Sequence, residues 1–135
     1  MGKVVTLGSR RITVLPAVHT VPAVGYQLDS GKGSLVFTGD TGPNDALWKV
    51  VNRIENLRYL IIETAFSDKD RELARLAQHL CPSMLADELA KLKRPAEIYI
   101  THLKPSENEL TMQEIDELPG NLRPRPLHNN HVFEF

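Results

Sequence analysis

The stretch Ser34-Leu35-Val36-Phe37-Thr38-Gly39-Asp40-Thr41-Gly42-Pro43 decides how the chain reads. Its apolar start predicts a short buried strand. The run then ends in an acid held between Gly39 and Gly42, where the backbone can bend and only small side chains flank the carboxylate. An acid at the end of an inner strand is costly to bury unless it is paired or bound to a cation. Two histidines stand at matching places: His19 in Ala17-Val18-His19-Thr20-Val21-Pro22, and His102 in Ile98-Tyr99-Ile100-Thr101-His102-Leu103. Two imidazoles and a carboxylate suit zinc, manganese or iron, but they are too few to hold two metals alone.

Upstream of this stretch the chain reads as strands. Lys3 to Leu7, Ile12 to Val18 and Val24 to Asp29 are rich in Val, Ile and Leu, and Gly8-Ser9 and Ser30-Gly31-Lys32-Gly33 supply the turns. Downstream, helix and strand alternate. Asn44 is an N-cap for a helix with Leu47, Val50, Val51 and Ile54 on one face. Tyr59 to Glu63 is a buried strand. A second helix carries Leu73, Leu76, Ala77 and Leu80, and a third, after Pro82, carries Leu85, Leu89 and Leu92. Glu97 to Thr101 is another strand, Met112 to Leu118 a last helix, and Arg123 to Phe135 one or two edge strands. Strands first, then strand and helix in turn, predict one α/β layered domain with helices on at least one sheet face. In such a sheet, positions that follow strand ends converge at one rim, so His19, Asp40 and His102 can meet only through folding.

Composition bounds the function. The 135 residues suffice for one core, with 41% apolar and 24% charged residues, as in ordinary globular proteins. The formal net charge is −1, and the small clusters Arg10-Arg11 and Lys91 to Arg94 lack interleaved aromatics, so a long nucleic acid is a poor partner. The single cysteine, Cys81, excludes a disulfide framework and predicts a small buried residue in a cytoplasmic protein. No apolar stretch is long enough to span a membrane, and the first residues show no signal-peptide pattern. His128 and His131 are expected to be surface polar residues, and Lys104 a loop residue within reach of a phosphate near His102.

The order His19-Thr20-Val21-Pro22-Ala23-Val24-Gly25-Tyr26, Phe37-Thr38-Gly39-Asp40-Thr41, Ile62-Glu63-Thr64-Ala65-Phe66, His79-Leu80-Cys81-Pro82 and Ile100-Thr101-His102 resembles the C-terminal half of metallo-β-lactamase-fold hydrolases. It is most similar to the branch holding the class II cyclic-nucleotide phosphodiesterases and, more distantly, ribonuclease Z. The resemblance implies a single half domain over residues 1–135: the C-terminal half of an αββα sandwich, a mixed sheet with helices packed on one face. It implies two divalent metals, zinc with manganese or iron as alternatives. His19 would serve the first metal, Asp40 would bridge both, and His102 would complete the second. His79 would be the general acid for the leaving alkoxide, with Glu63 orienting it.

Eighteen residues precede His19 and none is a histidine, so the family's H-x-H-x-D-H loop is missing here. The expected function is a metal-dependent phosphodiesterase with part of its dinuclear site supplied by an N-terminal half of the fold or by a second copy of the chain. The alternative is a catalytically inactive half-fold acting as a binding or assembly module. Twenty residues between His19 and Asp40 allow a hairpin and no gripping arm. This favours a small phosphodiester, such as a 3′,5′-cyclic nucleotide, over tRNA.

Overall fold

A computed structural model describes residues 2–135. Seven strands lie in sequence order across one sheet: β1 (Val4–Leu7), β2 (Arg10–Pro16), β3 (Val24–Asp29), β4 (Ser34–Phe37), β5 (Leu57–Glu63), β6 (Glu97–Thr101) and β7 (Arg125–Pro126). The first three pairings are antiparallel hairpins, and the last three are parallel. The change follows from the connections. Short turns can only reverse a strand, whereas the segments after Phe37 and Glu63 are long enough to carry helices back across the sheet. These are α1 (Asp45–Val51), then α2 (Arg71–Ala77) with α3 (Pro82–Leu89), and finally α4 (Asn108–Asp116) before β7. The expected α/β half sandwich, a mixed sheet with helices on one face, is the fold observed.

All the helices meet one sheet face. Leu15, Val36, Leu60, Ile62, Ile98 and Ile100 pack there against Leu47, Trp48, Val51, Leu85 and Ile115. The opposite face is also apolar. Cross-strand register sets Val5, Ile12, Leu28, Leu35 and Tyr59 in one row and Val14, Tyr26, Phe37, Ile61 and Tyr99 in the next. Over β4 to β6 this face is covered by Leu127, Phe133 and Phe135 from the C-terminal segment. Over β1 to β3 it is bare, with Val5, Leu7, Tyr26 and Leu28 exposed.

One sequence expectation needs correction. In α2, Leu73 and Leu76 are exposed and Ala74 is the buried residue. The helix ends at Ala77, where Gln78 takes the left-handed cap conformation (φ 56°), so Leu80 enters the core from outside the helical register. As expected, the C-terminal segment adds an edge strand, the two-residue β7. Its last residues lie on the sheet face as aromatic cover instead of extending the sheet edge. Cys81 is buried, as expected.

The end of the sheet that carries the β3–β4 turn is tied by Asp29. Its carboxylate accepts hydrogen bonds from Arg11 Nη2 (2.7 Å), the Gly31 amide (2.8 Å) and Asn56 Nδ2 (3.0 Å). These donors, Arg11 first, hold its pKa down at about 2. A depressed carboxylate stabilises the fold above its ordinary pKa of 3.8, and that contribution is lost as the pH falls toward about 2. We predict that Asp29→Asn costs roughly 1–2 kcal/mol at neutral pH, a figure discounted for the exposed Arg11 partner, and that it narrows its deficit against wild type in this acid window. Urea unfolding of both proteins from neutral pH to below pH 3 measures the difference.

Candidate functional site

At the opposite end of the sheet, four segments are clipped together. After β4, Thr38 keeps the ladder by donating its amide to Ile61 O (3.0 Å). Gly39 then turns with φ +64°, and a β-carbon there would lie 2.5 Å from Val24 O. Only glycine fits, which is why the chain can release Asp40 at the rim. The next residues tie this loop to its neighbours. Thr41 Oγ1 accepts from the Val18 amide (3.0 Å), and the Gly42 amide donates to Val18 O (2.8 Å), so the segment bearing His19 is fixed to the segment bearing Asp40.

Glu63, the last residue of β5, is fully buried. Its carboxylate accepts from four donors: the amides of Thr41 (3.0 Å), Ala65 (3.1 Å) and Leu80 (3.2 Å), and His79 Nδ1 (2.6 Å). Such saturation makes a buried carboxylate tolerable and holds three loops at fixed separation. It also sets the state of His79. The Glu63 hydrogen bond raises the imidazole pKa, against the opposing pull of partial burial. His79 therefore holds its Nδ1 proton on Glu63 and turns Nε2 outward.

The other two histidines flank His79, with ring centroids 4.7 Å away for His19 and 5.0 Å for His102. His19 Nδ1 lies 3.2 Å from the Gln78 carbonyl and donates to it, which leaves Nε2 as a free lone pair. His102 follows β6 in the left-handed conformation (φ 62°), a strained setting for a residue with a side chain. Its Nδ1 lies 3.0 Å from Asp40 Oδ1, and the two side chains are 45% and 47% exposed. An ion pair this exposed contributes about 0–1 kcal/mol, so it does not explain the strain. Strain without a stabilising return is characteristic of residues placed to meet a ligand.

The structure thus brings His102 and Asp40 into direct contact and sets His19 and His102 on either side of His79. Glu63, His79 and His102 offer ligand atoms within 4.8 Å of one another, the one such triad among the described residues. Glu63 is nevertheless a poor ligand because both of its oxygens are already engaged. The other candidate donors at the rim are His19, whose Nδ1 faces the Gln78 carbonyl, and the solvent-open pair Asp40 and His102, which contact each other. By residue type they suit a divalent ion, but the three are not a set whose ligand atoms lie within 4.8 Å of one another, and they are too few for two ions. Lys104 lies nearby, 3.8 Å from Glu107 in a weak contact. His131 stacks on Phe133 instead (centroids 4.3 Å), away from this rim.

No protein-family model and no curated protein matches the sequence. Solved structures do. The metallo-β-lactamase fold protein YhfI from Bacillus subtilis superposes with a TM-score of 0.75 at 21% identity, covering 98% of this chain and 52% of that one. A diphosphatase from the PhnP family gives 0.68 at 19% identity, covering 100% and 47%. Yeast PDE1 gives 0.67 at 17% identity, covering 94% and 47%. The chain therefore has part of the metallo-β-lactamase fold, and it spans about half the length of these structures.

We predict that Glu63→Gln destabilises the protein by about 2–4 kcal/mol, since a charged acceptor with four donors is lost from the interior. In the same variant the His79 pKa should drop back toward its ordinary value of 6.5, measurable by NMR titration of the ring protons.

Proposed function

We propose that this chain is one half of a metal-dependent phosphodiesterase that acts on a small phosphodiester, a 3′,5′-cyclic nucleotide or a close analogue. His19, Asp40 and His102 would hold divalent metal, zinc in the first instance, and a second half of the fold would supply the remaining ligands. The carrying observation is the rim itself: the half-exposed Asp40–His102 pair and the His19 ring, with the His79 imidazole beside them pinned to a buried glutamate. Likeness in fold to a phosphodiesterase and a diphosphatase supports the reading.

When bound, divalent metal would offset the charge on phosphoryl oxygens and make a water molecule more acidic. The chain's own contribution is the proton. Water attacks phosphorus and loses a proton to solvent, and the P–O bond to the leaving oxygen breaks. His79 Nε2–H, favoured by the Glu63 contact, passes its proton to the departing alkoxide and is then recharged from solvent. The leaving oxygen becomes a hydroxyl and the phosphate a monoester.

A second half would need a place to lie. The bare apolar rows over β1 to β3, ending in exposed Val5, Leu7, Tyr26 and Leu28, offer one, whether to an N-terminal half of the fold or to a second copy of the chain. The same face favours the second reading, an inactive half-fold retained for assembly.

Two measurements test these readings. Calorimetric titration of the chain with zinc should give one weakly held ion, with affinity reduced at least tenfold in His19→Ala, Asp40→Ala and His102→Ala. Together with a polypeptide that supplies an H-x-H-x-D-H half, the chain should hydrolyse bis(p-nitrophenyl) phosphate. His79→Gln should then slow alkyl phosphodiesters by about 10²–10⁴-fold, and p-nitrophenyl esters far less, because p-nitrophenolate leaves without a proton. Absence of metal and of turnover in the combined protein would favour the assembly module.

A further inference from the structure

A cavity of about 310 Å³ opens beside the rim, walled by Ala65, Phe66, Leu103 and Pro105, with His79, His102 and Lys104 as its polar members. A larger cleft of about 580 Å³ includes Arg11, Asp29, Arg53 and Asn56 in its lining, at the Asp29 end of the sheet. There Arg11 and Asn56 are already bonded to Asp29, so that cleft has no comparable cluster of free imidazoles. The smaller cavity differs in kind. Apolar wall and reactive imidazole share one space.

We infer that this cavity seats a planar aromatic ring carried by the substrate, a nucleobase or an aryl group, and that Phe66 is the residue selecting for it. The inference rests on the phosphodiesterase reading above. Size comes first: the volume lies at the lower end of ligand sites, about 300–1,000 Å³, enough for one ring system and too small for a folded nucleic acid. Wall chemistry comes second. The Phe66 ring is partly exposed and stands 5.7 Å from the His79 ring, tilted at 59°, a loose aromatic pair that a third flat ring can join. Its backbone is fixed, since the Phe66 amide donates to Leu80 O (3.3 Å), so little ordering is needed on binding. Charge comes third. The Lys104 ammonium, loosely held by Glu107, can meet the phosphate while the ring occupies the apolar wall.

The test uses the metal-free 135-residue chain, so that binding is read without turnover. Saturation-transfer NMR and ¹H–¹⁵N shifts should show bis(p-nitrophenyl) phosphate binding at least tenfold tighter than diethyl phosphate, with shifts at Ala65, Phe66 and Leu103. Phe66→Ala should abolish that preference, and Phe66→Tyr should keep it, each with an otherwise native spectrum. Equal affinity for the two esters, shifts elsewhere, or an unchanged preference in Phe66→Ala would overturn the assignment. In the combined protein, Phe66→Ala should raise KM for an aryl ester about tenfold and leave kcat within about twofold. Turnover with an unchanged KM would sink the ring site and spare the phosphodiesterase reading. Aryl preference without turnover would do the reverse.

Discussion

One buried carboxylate organises the working end of this molecule. Glu63 closes the central parallel strand, and its two oxygens gather the loop after β4, the start of the loop after β5, the turn after α2 and the His79 ring. Everything at the rim inherits its position from that knot. Asp40 stands one residue before Thr41, and His19 one residue after Val18, which Thr41 and Gly42 hold in turn. His79 also takes its charge preference from the same group. A second buried acid, Glu88 on α3, does similar work one layer below, accepting from Trp48 Nε1 and the Asn44 amide, so the Asp40 loop is anchored at both ends.

The sheet explains why the chain is asymmetric in what it covers. Hairpins and helical crossovers leave every strand next to its sequence neighbour, and every crossover lays its helices on the same side. The other face is left to side chains alone. Where the C-terminal segment supplies Phe133 and Phe135, the face is closed, and where it does not, alternating apolar residues meet water.

Much of this was legible in the residues. The switch from alternating to helical periodicity after Pro43 announces the change from antiparallel to parallel pairing. Gly39 and Gly42 around Asp40 announce a bend at a strand end, and the φ of Gly39 bears that out. Other features were hidden because they depend on distant partners. Leu73 and Leu76 have core-like spacing, yet they stand in solvent while Ala74 faces the core, and the left-handed turn at Gln78 brings Leu80 in from outside the helical register. The inward seating of Phe133 and Phe135 depends on Tyr59 and Tyr99, far away in sequence. The aromatic wall at Phe66 is invisible to periodicity, because it arises from loops that Glu63 brings together.

Asp40 and His102 are loosely held, half open to solvent, and bear almost none of the weight of the architecture. Glu63 bears a great deal. Variation can therefore replace this pair while the shape survives intact. Loss of the glutamate instead would undo the packing of every loop that meets at the rim.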